Sequence, residues 1–314
     1  MITKQQIIEN LKRDYGLEIV KIEMIERLMF RQSFMLSDID KNRYILKDYS
    51  DKFNLQELNR IWQYYWTLRK MNLKVGCPLG KKFSDEFHMH LNHRYYVVFE
   101  YVFGEHPSVE QYEEIAKCLK KYHEVANPNL LTSCSSTGTM LREAKQQFKF
   151  FFNGDYSIKQ EILSCRDQYM KIIDNYTESI DTIIHGDSIL ENIVSNDGKS
   201  YLIDFDNLRF GNAMEDVANT VLSLIYYGTD RYNINPQRIK QVRLFLHSYY
   251  CDKLPIEVER IIFYYMQVHC VIELSKHAEN IRLLVRMPGM KEYLILLIKV
   301  ICSSSFTELI RKEQ

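Results

Sequence analysis

Residues 185–206 read HGDSILENIVSNDGKSYLIDFD, and the architecture of the chain follows from them. At the centre, Asn196-Asp197-Gly198 separates two β-rich runs. These residue types accept positive φ at little cost, so the segment predicts a tight hairpin. Closing the hairpin brings Asn192 and Asp204 to the same end, with Asp187 in the loop beside them. An amide and a carboxylate oxygen so placed suit Mg²⁺ held largely through a substrate's phosphates. The remaining carboxylate, Asp187, can then orient an acceptor hydroxyl and take its proton. A histidine or aspartate before a strand is by itself more often a turn residue satisfying backbone groups. The conjunction with Asn192, Asp204 and the hairpin fills the roles a reaction needs. His185 reads as an architectural residue bracing the loop.

Working outward, the chain on either side has two characters. Residues 5–15 predict a short helix stopped by Gly16. From Leu17 to Tyr49, short apolar runs alternate with polar turns, and SDIDKN (37–42) is a hairpin turn, which predicts an antiparallel sheet. Asn54 opens a helix to about Met71, with Leu55, Leu58, Trp62 and Tyr65 at helical spacing. Two more strands are expected at about 83–90 and 94–103. A small α+β lobe therefore ends near Gly104. Beyond Pro107 the patterns turn helical. Ile115, Leu119, Tyr122 and Ala126 form one face, and further helices are expected over roughly 139–153, 156–178, 214–227, 235–251, 255–279 and 289–312. The hairpin is the single strand signal among them. The expected fold class is α+β and two-lobed: an N-lobe over 1–104 with a small antiparallel sheet and one main helix, a hinge at about 99–105, and a larger, mostly helical C-lobe over 105–314.

Composition narrows the function. Lysine plus arginine equals aspartate plus glutamate, 41 each, so the formal net charge is zero. That balance argues against a nucleic-acid partner, whose phosphates call for a basic excess. The seven cysteines are odd in number and contain no C-x-x-C pair, which fits reduced thiols in a cytoplasmic protein. The opening MITKQQIIENLKRDYG has no signal-peptide core. The most apolar late run, YLILLIKVIC, carries Lys299 and is short for a membrane span, so no membrane partner is expected.

H-x-D-x-x-x-x-N followed by a D-F element resembles the order of parts in the eukaryotic protein-kinase fold. With glycine second, HGD-x4-N and then IDFD is similar to the aminoglycoside phosphotransferase/choline kinase-like family of small-molecule kinases. The resemblance spans about residues 20 to 280 and implies a protein-kinase-like fold. It implies Asp187 as catalytic base and Asn192 and Asp204 as metal ligands, with Asp206 assisting. It makes Asp216, in GNAMEDVA, the buttress of the catalytic loop. In the N-lobe it implies Lys47, in RYILKDY, for the phosphates of ATP or GTP, and Glu57 on the following helix to hold that lysine. VVFEYVFGE matches the hinge, so the backbone of Glu100, Tyr101 and Val102 would bind adenine. LKKYHEVA places His123 on the helix after the hinge. Where a glycine-rich phosphate loop would lie, the chain reads FRQSF, so backbone amides or the Ser33 hydroxyl take that place.

The implied activity is Mg-dependent transfer of the γ-phosphoryl of ATP or GTP to a hydroxyl of a small molecule. Aminoglycoside-like antibiotics, choline-like amine alcohols and sugars are the candidate acceptors. A protein acceptor fits poorly. Eleven residues separate Asp204 from Asp216, no A-P-E follows, and Gly186 stands where a protein kinase has arginine. The resemblance puts the acceptor among the C-terminal helices, with Asp230, Tyr264, Glu273 and Glu279 as candidate liners suited to a cation. The alternative is a catalytically weak or inactive kinase-like protein that binds a nucleotide or a partner. His88, His90 and His93 cluster at a strand turn, but no further donor completes a metal set.

Overall fold

The structure, a computed structural model, describes residues 3–27, 32–49, 55–84, 86–131, 134–226, 238–251 and 257–311. The chain divides into two compact units: Met1–Gly104 with Leu130–Ser133, and Glu105–Asn129 with Cys134–Gln314.

The first unit opens with α1 (Lys4–Tyr15), started by a Thr3–Gln6 capping box and ended by Gly16 at φ 73°. Gly16 ends the helix as expected, and the capping box adds a start signal; each satisfies backbone groups that a helix end leaves open. Strands β1 (Ile19–Arg27), β2 (Gln32–Asp38) and β3 (Arg43–Asp48) are followed by helix α2 (Leu55–Lys70), then β4 (His88–Leu91) and β5 (Arg94–Glu100). The strands form one antiparallel sheet in the order β1-β2-β3-β5-β4. Both faces are covered. Ile7 and Leu11 of α1 pack with Leu36, Leu46, Tyr96 and Val98. On the other face Tyr65 of α2 meets Phe99 with ring centroids 5.6 Å apart, and Trp62 meets Tyr49 at 5.6 Å. Such double burial explains why β5 reads as an unbroken apolar run rather than an alternating one. The strand expected at 83–90 shortens to His88–Leu91, and the one expected at 94–103 stops at Glu100.

The second unit contains α3 (Tyr112–Val125), α4 (Thr137–Gln147), α5 (Lys159–Ser164), α6 (Arg166–Asp174) and strand β6 (Thr182–Ile184). The hairpin β7 (Ile193–Asn196) and β8 (Lys199–Leu202) follows, then β9 (Arg209–Gly211). Helices α7 (Ala213–Tyr226), α8 (Ile239–Tyr250), α9 (Val258–Lys276), α10 (Ile281–Leu284), α11 (Met290–Cys302) and α12 (Phe306–Arg311) complete it. The hairpin turn is as expected, with Asp197 and Gly198 at φ 51° and 69°. In α7 every residue from Glu215 to Tyr226 is buried, so this helix is the centre of the unit.

Three expectations change here. The helix expected over 156–178 breaks at Cys165, where the Ser164 hydroxyl donates back to Glu161 O at 2.7 Å and tightens the turn. The one expected over 289–312 is two helices, because the Ser305 hydroxyl accepts from Glu308 N at 3.2 Å and starts a new one. A second ribbon, β6 paired antiparallel with β9, joins the hairpin. At three residues each, these strands are too short to show a period.

Candidate active site

The loop that carries Asp187, the expected catalytic loop, lies between β6 and β7 and is pinned to α7. Asp216 is buried in the first turn of α7 and accepts two loop amides, His185 N to Oδ2 at 2.7 Å and Gly186 N to Oδ1 at 2.8 Å. His123 Nε2 lies 3.0 Å from Oδ2 and is held from behind by Tyr249, whose hydroxyl is 2.7 Å from Nδ1. Burial disfavours the Asp216 charge, but His123 and the loop amide outweigh it and hold the carboxyl below its usual range. Farther along, the Ser188 hydroxyl donates to Asp216 O at 2.8 Å, Thr220 donates to Ser188 O at 2.7 Å, and Leu190 N donates to Ser223 Oγ at 3.0 Å. The loop is thus fixed by hydrogen bonds that no water can replace.

His185 bonds on both sides of its ring. Its Nε2 lies 2.8 Å from Ile203 O, and its Nδ1 accepts from Asp187 N at 3.3 Å. Burial pushes the imidazole pKa down, and a carbonyl acceptor at Nε2 with an amide donor at Nδ1 matches the tautomer that carries its proton on Nε2. It ties the loop to the strand that leads into Asp204.

Asp187 is half-buried, and its Oδ2 accepts from Asn192 Nδ2 at 3.0 Å and from Asn207 Nδ2 at 3.3 Å. Burial first, and then Glu273, push its pKa up to about 7, against the pull of Lys276 and Asn192. Asn192 also donates to Asp187 O at 2.9 Å. Its amide nitrogen is committed to Asp187, which leaves Oδ1 as the atom able to ligate a cation. The bond from Ile203 N to Asn192 O, 2.9 Å, puts Asn192 beside the residue that precedes Asp204. Asp204 itself is held at φ 63°, ψ 65°, a backbone state uncommon outside glycine and typical of functional positions. An amide oxygen and a carboxylate are the donor types a hard divalent cation takes, so these residues fit Mg²⁺. Asp206 follows on the same turn, half-buried.

Gly186, with residues that the sequence reading did not single out, completes this half. Gly186 has φ 77°, and a Cβ there would collide with Asn207 O and the Arg209 guanidinium. Arg209, on β9, is buried and reaches Gly186 O at 3.3 Å, Thr137 Oγ1 at 3.0 Å and Glu215 at 3.4 Å. Thr137 in turn donates to Glu215 Oε2 at 2.5 Å. Burial raises the Glu215 pKa despite Arg209 and Thr137, the opposite of its neighbour Asp216. No spacing rule points to Arg209, since it lies on a strand too short to read. The glycine at 186 was visible, but its reason, room for a guanidinium from elsewhere, was not.

The candidate acceptor residues are not brought together. Asp230 lies outside the described residues. Tyr264 is nine residues before Glu273 on α9, which at 100° per residue is the opposite face. Glu273 is ion-paired to Lys276 at 2.5 Å and close enough to Asp187 for its charge to raise that carboxyl's pKa. Burial opposes its charge, but Lys276 and His269 hold its pKa at about 2. Glu279 lines a cleft of about 250 Å³ with Glu143, Gln146, Gln147 and Lys276, between α4 and the end of α9.

In the first unit Lys47 is half-buried on β3, in register with Ser33 on β2 and Val97 on β5. It therefore shares the sheet face of Val97 and Phe99, which α2 covers, and its Nζ is 5.5 Å from the Phe99 ring. Glu57 is in the first turn of α2, but its side chain lies outside the described residues. Of FRQSF, residues 30 and 31 lie outside them too. At the hinge the Glu100 carboxylate is clamped by Arg69, whose Nη1 is 3.0 Å from Oε1, and Glu100 N donates to Cys77 O at 3.0 Å. Tyr101 N donates to Arg43 O at 3.3 Å. Among the described residues no group of three or more His, Cys, Asp and Glu is placed to hold a metal by itself. No helix of the described residues is long and apolar enough to cross a membrane.

A protein-kinase-like fold with an HGD-x4-N loop ahead of a D-F-D turn defines a class of phosphotransferases. The chain belongs to the phosphotransferase enzyme family APH, which it matches over residues 31–247. A search of curated protein sequences finds no match. Solved structures resemble it over nearly its whole length. Amicoumacin kinase hAmiN, in complex with AMP-PNP, Ca²⁺ and Ami, has TM-score 0.72 at 12% identity, covering 99% of this chain and 97% of that one. Spectinomycin phosphotransferase APH(9)-Ia, with ADP and spectinomycin, has TM-score 0.66 at 15% identity, covering 96% and 98%. Choline kinase LicA from Streptococcus pneumoniae has TM-score 0.64 at 17% identity, covering 95% and 98%. At these identities the likeness establishes the shared protein-kinase-like fold.

Proposed function

We propose that this phosphotransferase moves the γ-phosphoryl group of ATP or GTP, with Mg²⁺, to a hydroxyl of a small molecule. The observation that carries the reading is the state of Asp187. Its Oδ2 is taken by two amide donors, which leaves Oδ1 to receive an acceptor hydroxyl. The loop that presents it is fixed at His185, Gly186, Ser188 and Leu190.

Each residue then has a part. Asp187 Oδ1 accepts the hydroxyl hydrogen, aligns the oxygen with the phosphorus, and takes the proton as the P–O bond forms. Asn192 Oδ1 and the Asp204 carboxylate hold the cation, which when bound neutralises charge on the phosphates. Lys47 grips the phosphates, with Glu57 holding it and Ser33 on the adjoining strand. Because Glu100 N and Tyr101 N are already bonded within the sheet and its edge, adenine recognition by a hinge donor falls to Val102 N. Glu143 and Glu279 on the walls of the α4–α9 cleft favour an acceptor carrying positive charge, such as an aminoglycoside-like or choline-like amine alcohol. The neighbours described above are, by their names, kinases or phosphotransferases of amicoumacin, spectinomycin and choline, each a small molecule. The protein would work in the cytoplasm, where ATP and Mg²⁺ are supplied.

The test is a panel of hydroxylated amines and sugars, assayed for phosphoryl transfer from ATP and from GTP. Transfer that vanishes in Asp187→Asn supports the reading. A wild-type protein that binds Mg-nucleotide yet neither transfers to any acceptor nor slowly hydrolyses the nucleotide would sink it, in favour of a binding module.

A further inference from the structure

The most informative unassigned feature is a file of polar side chains that ends on the catalytic carboxylate. Glu273 Oε1 takes Lys276 Nζ at 2.5 Å, Lys276 Nζ is 3.5 Å from Asn207 Oδ1, and Asn207 Nδ2 is 3.3 Å from Asp187 Oδ2. The side chains of Lys276 and Glu273 are 28% and 16% exposed, so the pair is only partly open to solvent, and Lys276 lines the α4–α9 cleft. Lys276 is in the last turn of α9 and Asn207 closes the short turn that follows Asp204.

The amide of Asn207 has two unlike ends of nearly the same shape. With its oxygen toward Asp187 it would repel the carboxylate and leave Oδ2 with one donor. An ammonium group only donates, so it can face only the oxygen end. Lys276 therefore selects the Asn207 orientation in which the NH₂ meets Asp187. Glu273 in turn keeps Lys276 from turning away into the cleft. The selection matters because two donors on Oδ2, Asn192 and Asn207, fix the carboxylate plane that presents the other oxygen to the acceptor, whereas one donor lets it rotate.

We infer that Lys276 is a positioning residue for phosphoryl transfer, acting through Asn207 to fix which oxygen of Asp187 faces the acceptor. The inference rests on the transfer reaction proposed above. It predicts an effect on the reacting geometry and none on nucleotide capture. A lysine in the last helical turn also favours the helix dipole, so a loss of stability alone would not distinguish the role.

The test is a double-mutant cycle on Lys276→Met and Asn207→Ala, read by phosphoryl transfer to the best acceptor or by slow ATP hydrolysis with water as acceptor. Lys276→Met should lower kcat by roughly 10- to 100-fold, the scale of a misplaced reacting group, with KM for ATP within about twofold. Asn207→Ala should do the same, and the double variant should be no worse than Asn207→Ala alone, because both remove one device. Lys276→Arg, which keeps a donor, should recover most of the rate. Multiplicative losses, an effect confined to KM, or an unchanged kcat in Lys276→Met overturns the inference. A crystal structure of Lys276→Met reads the same point without any activity. Asn207 turned from Asp187 supports the inference; an undisturbed Asn207–Asp187 contact overturns it. Absence of transfer by the wild-type protein counts instead against the proposed function.

Discussion

The catalytic loop and the hinge both hang a backbone turn on a carboxylate, but they do so in different surroundings. Asp216 is buried and takes two loop amides and His123. Glu100 takes the Cys77 amide and Arg69, with the Arg69 and Glu100 side chains 38% and 31% exposed. In a dry site, removing one partner leaves charge or amide uncompensated and is costly. A solvated pair is replaced by water and screened by salt, and is worth roughly 0–1 kcal/mol. The loop that presents Asp187 is therefore held rigidly, while the segment proposed to bind the nucleotide base rests on a weak clamp and on sheet register.

The sharpest break of this comparison is at the end of the loop itself. Asp187→Asn should lower turnover by about 10²- to 10⁴-fold, the usual worth of a general base. Mg-nucleotide binding, followed as thermal stabilisation, should persist, since none of the proposed ligands is touched. Equal loss of both would show that the loop and the nucleotide site are one structural unit, against the contrast drawn here.

The next effect tests the buried anchor. Asp216→Ala should cost about 3–5 kcal/mol in chemical denaturation, because His123 and two amides lose their acceptor in a dry site. The pH dependence has a definite sign. Asp216 is held below its usual pKa in the folded protein, so the unfolded chain takes up its proton first. Its contribution is complete above about pH 4 and is lost as pH falls through the folded pKa. The melting temperature of the wild type should therefore fall faster on acidification than that of Asp216→Asn. Parallel curves would mean that the carboxylate is not the charged anchor described.

Smaller again is the glycine beside it. Gly186→Ala forces a Cβ into Asn207 O and the Arg209 guanidinium at φ 77°. The strained backbone and displaced arginine should cost about 1–3 kcal/mol. Truncating Arg209 in the same chain should recover part of that loss, since it removes one of the two clashes. If Gly186→Ala is silent, Arg209 is free to move and does not position the loop.

How much of this was legible follows from the same physics. Asp187, Asn192 and Asp204 could be read because a hairpin turn with Asn-Asp-Gly is a local signal, and it fixes which residues meet. Asp216 could be read from family resemblance alone, and its partner His123 likewise. Arg209, Asn207 and Lys276 were silent because they reach the loop across tertiary contacts from β9, the turn after Asp204, and the end of α9. The helix breaks at Cys165 and Ser303–Ser305 were missed because apolar periodicity runs through them, although Ser305 and Glu308 together carry a capping pattern. Tyr264 and Glu273 were grouped by composition, and the helix period separates them.

The smallest predicted effect is at the hinge, and it bears most directly on the comparison. Arg69 Nη2 holds Val75 O at 3.0 Å as well as Glu100, so the arginine joins two backbone segments while Glu100 contributes only the charge and the Cys77 contact. Glu100→Gln should raise KM for ATP by less than about threefold and change stability by roughly 0–1 kcal/mol. Arg69→Met should cost somewhat more, because it also frees Val75 O and uncovers the Trp66 ring, 5.1 Å from the guanidinium. In about 0.5 M salt the difference between wild type and Glu100→Gln should shrink, because solvated charges are screened over a few ångströms. The Asp216 deficit should stay nearly the same under that salt, since its partners are buried. A hinge deficit that resists salt would place Glu100 in as dry a setting as Asp216, and the two regions would then be held by the same means.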